Sequence, residues 1–187
     1  MVDRLLTHVR ALRSGSVMIW RQIALDNPTE LQELGGWWHT WFDIEADPDD
    51  QQAGTQPSAG WGGMDVDMES VPVPGSWAEA KPGYRGVAWH WRPFVVPSHW
   101  DGWTISLRFE GIRRDAQVYV NRRLAGSQTD GPRAFAVDVT DRVRPGGRYT
   151  LFVRVAYPPR ESGSAASAED GGICGPVSLT GTRPPAD

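Results

Sequence analysis

The chain has 187 residues, a net charge of −4, 40% hydrophobic and 22% charged residues. This is enough chain for one domain with a true core, too short for two full ones, and not the composition of a disordered protein. The negative balance speaks against a nucleic-acid partner, and the single cysteine, Cys174, rules out an internal disulfide.

Taken in chain order, the first element is helical. Leu5, Leu6, Val9 and Leu12 recur at helical spacing up to Ser14-Gly15. Asn27-Pro28-Thr29-Glu30 then reads as a second helix start, with Asn27 as cap and Pro28 at the first helical position. Residues 1–33 are therefore expected to form a partly helical extension, either an appendage or a clasp on the main domain. Charge interrupts the N-terminus at once, Val17 to Trp20 is too short for a secretory core, and no stretch approaches the roughly 20 apolar residues of a membrane span. The expected location is cytoplasmic, with no membrane partner.

From Leu34 to residue 183 the pattern is short strands with turn signals between them. Thr104 to Phe109 alternates polar and apolar residues. Phe135, Val137 and Val139 line one strand face, as do Tyr149, Leu151, Val153 and Val155, and finally Val177 and Leu179. Period-two alternation predicts that each strand buries one face and leaves the other in water. Strands at this spacing, with no helices between them, predict an all-β sandwich or barrel. Residues 47–63 and 158–172 read as long loops, and residues 184–187 as a tail.

Within this frame, Val73-Pro74-Gly75 provides an extended approach, a fixed φ and a position without Cβ, which lets Trp77 fold back as a plug at one end of the sandwich. Arg92, among aromatic residues, reads as a structural partner. Asp138-Val139-Thr140-Asp141 reads as a capped single turn, with Thr140 or Asp141 as the cap.

The chemistry of catalysis is missing. Asp65, Asp67 and Glu69 would share one face of an extended strand, but Ser70 and Ser76 stand where a calcium loop needs Gly and Glu. The histidines, His8, His39, His90 and His99, lack metal-ligand spacing. No cofactor or metal is expected. The ten tryptophans are the unusual feature. Most are expected in the core, but an exposed indole can stack on a sugar ring. Trp61 and Trp100 are the candidate platforms, beside the loop polar groups Gln128, Asp130, Arg133 and Asp170.

The ordered motifs resemble a known family. Leu34-Gly35-Gly36-Trp37-Trp38 with Phe42-Asp43, then Val73-Pro74-Gly75-Ser76-Trp77, Tyr84-Arg85-Gly86, Ala88-Trp89-His90-Trp91-Arg92-Pro93-Phe94, Leu107 to Gly111, Ala116 to Asn121 and Gly171-Gly172-Ile173 follow the order of the N-terminal sugar-binding domain of family 2 glycoside hydrolases. The resemblance implies a jelly-roll β-sandwich of the galactose-binding type, in which Gly75, Trp77, Tyr84, Arg92, Asn121 and Asp138 hold structural motif positions. In the full enzymes this domain precedes an immunoglobulin-like domain and a catalytic barrel. The family's acid/base Glu follows an Asn, whereas here Asn27 precedes Pro28 and Asn121 precedes Arg122. The implied function is a non-catalytic carbohydrate-binding module for a β-glycoside-type ligand. The alternatives are a scaffold docking on other protein domains or on itself, and the N-terminal fragment of a split β-galactosidase- or β-glucuronidase-like hydrolase. Two departures bear on sugar contact. Ala166, Ala168 and Glu169 stand where β-galactosidase-like members carry an Asp and a Trp-Arg pair, and Asn121-Arg122 replaces an Asn-Gly turn.

Overall fold

A computed structural model describes residues 28–48, 56–65, 67–129, 131, 133–157 and 171–185. The helical stripe of residues 5–12 lies outside the described residues.

The described chain is an all-β sandwich. Its strands are β1 (Thr29–Glu33), β2 (Gly36–Asp43), β3 (Glu69–Val73), β4 (Gly86–Val95), β5 (Thr104–Phe109), β6 (Asp115–Val120), β7 (Arg123–Gln128), β8 (Phe135–Asp138), β9 (Arg148–Tyr157) and β10 (Val177–Thr182). A four-stranded antiparallel sheet has the order β1-β10-β5-β8, and a six-stranded one the order β3-β2-β4-β9-β6-β7. The main core lies between them, where Trp38, Leu107, Phe109, Val118, Leu151, Val153 and Leu179 interdigitate. Strand β5 shows the expected alternation, burying Ile105, Leu107 and Phe109 while Thr104 and Arg108 stay exposed.

The structure departs from the sequence reading in several places. Pro28-Thr29-Glu30 does not start a helix. Residues 29–33 form β1, which pairs with β10 from Thr29↔Thr182 to Glu33↔Ser178, so the sandwich begins before Leu34. Backbone pairing with β10 outweighs the local capping signal. Strand β9 is not half-solvated either, because Leu151 to Tyr157 are buried on both faces. Its second face joins Val87, Trp89 and Tyr119 in a separate cluster with Met64. Asp65 and Glu69 do not share a strand, since Gly63–Asp65 is a single 3-10 turn and β3 begins at Glu69.

Turn chemistry differs as well. The β6–β7 hairpin keeps a positive-φ turn without the Asn-Gly pair. Asn121 (φ 47°) and Arg122 (φ 69°) both take the left-handed conformation that such hairpins need. Asn121 is held there by Thr150, whose N–H donates to its Oδ1 at 2.8 Å. In the turn after β8, neither Thr140 nor Asp141 is the cap. The Asp138 carboxylate accepts the Thr140 N–H at 2.8 Å, and hydrogen bonding from Thr140, from its side chain first and its backbone second, lowers the Asp138 pKa. Thr140 is occupied elsewhere, with its Oγ1 accepting the Ile105 N–H at 2.9 Å.

The Trp77 plug is as expected. The indole is fully buried, and a Cβ added at Gly171 would lie 1.9 Å from its Cζ2. A Cβ at Gly75 would meet the Pro72 carbonyl at 2.5 Å, so the turn into the plug needs a residue without one. The Val73–Pro74 peptide is cis. Against the plug stacks His90, with ring planes 11° apart, fully buried and joined to the Thr40 hydroxyl through Nδ1 at 2.8 Å. Burial drives its pKa down to about 3, so the imidazole is neutral.

Candidate functional site

Those expected site residues that the structure describes, Trp61, Trp100, Gln128 and Arg133, do not form one site. Trp100 is 1% exposed and offers no face to a ligand. It packs over Gly181, stacks on Trp103 and donates its Nε1 hydrogen to the Glu30 carboxylate at 2.9 Å, so it anchors β1. Trp61 is half-buried on the outer face of the six-stranded sheet, edge-on to Phe152, Trp89 and Tyr119 at 5.0, 5.3 and 5.7 Å. Gln128 ends β7 half-buried, and neither atom of its amide has a hydrogen-bond partner among the described residues. Arg133 is exposed. Asp130 and Asp170 lie outside the described residues.

The Arg92 guanidinium donates to the Trp37 carbonyl at 3.2 Å. Tyr84 donates to the carbonyls of Val87 at 2.9 Å and Asp43 at 3.3 Å, and desolvation, aided by the Asp43 charge, pushes its phenol to about 12. Asn121 and Asp138 line an open groove of about 510 Å³ with Arg123, Asp141 and Arg142. That groove is polar and holds no aromatic ring.

A better-built cleft lies on the outer face of the six-stranded sheet. Residues 44–48 and 56–65 form a strap across it. Asp43, at the end of β2 and 1% exposed, fastens the strap by accepting hydrogen bonds from the Ser58 N–H at 2.9 Å and from the Ser58 hydroxyl. Trp61, Ala46 and Met64 press onto Val87, Trp89, Tyr119 and Phe152. Beside this apolar seal run two adjoining clefts. One, of about 300 Å³, is lined by Trp89, Arg154, Asp47, Gln56 and Ala46. The other, of about 350 Å³, is lined by Trp41, Lys81, Asp67 and Glu69. Asp43, Glu45 and Ser58 line both. Arg154 is 3% exposed and donates to the Asp47 carbonyl at 3.3 Å. Trp89 Nε1 is buried with no hydrogen-bond partner among the described residues. The partly buried Trp41 indole beside hydroxyl, carboxylate and ammonium groups is the mixture that a polyhydroxylated ligand requires. Sequence reasoning missed this place because Trp89, Arg154 and Asp43 read as strand residues. The one available signal was the loop tryptophan, Trp61.

A second cluster sits where β9 ends. The guanidinium carbons of Arg85 and Arg114 lie 4.3 and 4.9 Å from the centroid of the Tyr157 ring. Burial works to raise the Tyr157 pKa, but the two arginines outweigh it and the phenol lies below its usual value. Among the described residues, no group of three or more His, Cys, Asp or Glu side chains could hold a metal ion. No helix of the described residues is long and apolar enough to cross a membrane.

The fold defines an all-β sandwich domain of two antiparallel sheets, and solved structures that share it are β-glucuronidases. One, the β-glucuronidase from Ruminococcus gnavus in complex with D-glucuronic acid, superposes on 82% of this chain with a TM-score of 0.64 and 21% identity, and this chain covers 29% of that one. A putative β-glucuronidase of Formosa agariphila is 28% identical over 103 residues, which is 51% of this chain and 12% of that protein. A β-galactosidase of Thermoanaerobacter pseudethanolicus is 33% identical over 78 residues, 42% of this chain and 10% of that protein. No protein-family model matches the chain. The chain is a domain related to the family 2 glycoside hydrolases, and it spans only a small part of the length of these relatives.

Proposed function

We propose that this chain is a non-catalytic carbohydrate-binding module that holds a glycan in the strap cleft. One observation carries the reading. The strap cleft brings the partly buried Trp41 indole together with several polar side chains, whereas the larger groove at Asn121 has no ring to stack on. The glycosidase relatives support a sugar as the ligand class. The test is a titration against galactosides, glucuronides and mannosides, followed by calorimetry and tryptophan fluorescence. Saturable binding to at least one class is expected, with no hydrolysis of chromogenic glycosides. Silence across the panel sinks the binding half of the proposal, and turnover sinks the non-catalytic half.

A second reading has its own observation. The strap leaves Trp37 68% exposed, and next to it His39 rests on Trp91 at 5.5 Å. Such a bare aromatic patch suits docking against another protein domain or a second copy. Light scattering that shows concentration-dependent association, lost in Trp37→Ser, would favour it.

A further inference from the structure

The charges along the strap cleft name the class of sugar, provided the cleft is the sugar site. Five acidic side chains, Asp43, Glu45, Asp47, Asp67 and Glu69, line its two halves against two cations, Arg154 and Lys81. Both cations are already engaged, as are Asp43, held by Ser58, and Asp47, while Glu45, Asp67 and Glu69 stay at least partly exposed. Arg154 is turned to the Asp47 carbonyl, and the Lys81 ammonium sits 5.1 Å from the ring centroids of both Phe42 and Tyr84. A ligand therefore meets a surplus of negative charge beside the partly buried Trp41 indole, where low-polarity walls weaken screening. The positive counterpart, Arg85 and Arg114 over Tyr157, belongs to a different part of the surface and lines neither half of the cleft.

We infer that the strap cleft selects sugars without an acidic group, accepting uncharged pyranosides and rejecting uronates and sulfated sugars. Sugar hydroxyls donate, and carboxylates are strong acceptors for them. An anionic substituent must instead shed its water against like charge. The selectivity is opposite to what the name β-glucuronidase on the relatives would suggest for this domain.

The experiment titrates the full chain with matched β-linked oligosaccharides that differ only in oxidation of the C6 alcohol to the carboxylate. At low ionic strength the neutral member is expected to bind at least about tenfold more tightly, and the gap should narrow as salt rises. In the double variant Glu45→Lys/Glu69→Lys, checked for unchanged thermal unfolding, the uronate should gain about tenfold relative to its neutral partner. Equal or tighter uronate binding by the native chain overturns the inference while leaving the module a sugar binder. If that uronate binding vanishes in Arg85→Gln/Arg114→Gln, the ligand sits at Tyr157 and the cleft is the wrong site. No binding of either member removes the carbohydrate-binding proposal and this inference together.

Discussion

The two faces of the six-stranded sheet are both aromatic, yet they are closed in different ways. The inner face is sealed along its length by the second sheet, and Trp38, Trp77, Leu151 and Val153 are buried in one continuous core. The outer face carries Trp89, Tyr119 and Phe152 under a strap fastened by Asp43 and Arg154, and Trp41, Trp61 and Trp91 are only partly covered. Strand pairing closes the first face, and loop packing closes part of the second. Stability is therefore concentrated inside, and partly exposed aromatic surface outside.

Four measurements would break or sharpen that contrast. Trp77→Ala removes the plug of the inner core and should cost about 3–5 kcal/mol in urea unfolding. Acidification should come next. The folded state keeps His90 neutral down to about pH 3, while the unfolded chain protonates it near its usual value of about 6.5. The stability it contributes is complete above about pH 6.5 and declines by about 1.4 kcal/mol per pH unit as pH falls toward 3. His90→Phe should flatten that part of the profile. Trp61→Ala loosens only the strap and should cost about 1–3 kcal/mol, with a change in the fluorescence of the outer tryptophans. A loss as large as that of Trp77→Ala would mean the two faces form one core after all. Trp37→Ser, at an exposed site, should move stability by no more than about 0.5 kcal/mol.

The same contrast explains what could be read from the sequence. Period-two alternation finds the inner face, because Ile105, Leu107 and Phe109 repeat every second residue, and so do Leu151, Val153 and Val155. It assigns the intervening residues to water. Phe152 and Ala156 violate that assignment only because residues distant in sequence, Trp61 and Met64, fold over them. Trp77 was legible because its glycine and proline neighbours describe a local turn. Trp100 was not, since its burial depends on β1, and β1 looked like the start of a helix until β10 paired with it. Asn121-Arg122 shows strand pairing outweighing residue preference, with hydrogen bonds to Thr150 holding an Arg-containing turn in a conformation that glycine would adopt more readily. The site was the least legible part, since the strap cleft is assembled from β2, β3, β4, β9 and several separate pieces of loop.

Strand β1 has a practical consequence. It lies at the border of its sheet, paired on one side with β10, and the Glu30 carboxylate ties it to Trp100 and to His99 at 2.6 Å. A shortened protein cut at Leu34, where the sequence alone would place the boundary, loses this strand. The backbone amides and carbonyls of Val177–Thr182 would then be left open along a row, with the Trp100 indole stripped of its acceptor. Rows of that kind recruit strands from other molecules. Such a truncation should aggregate, and one beginning before Pro28 should not.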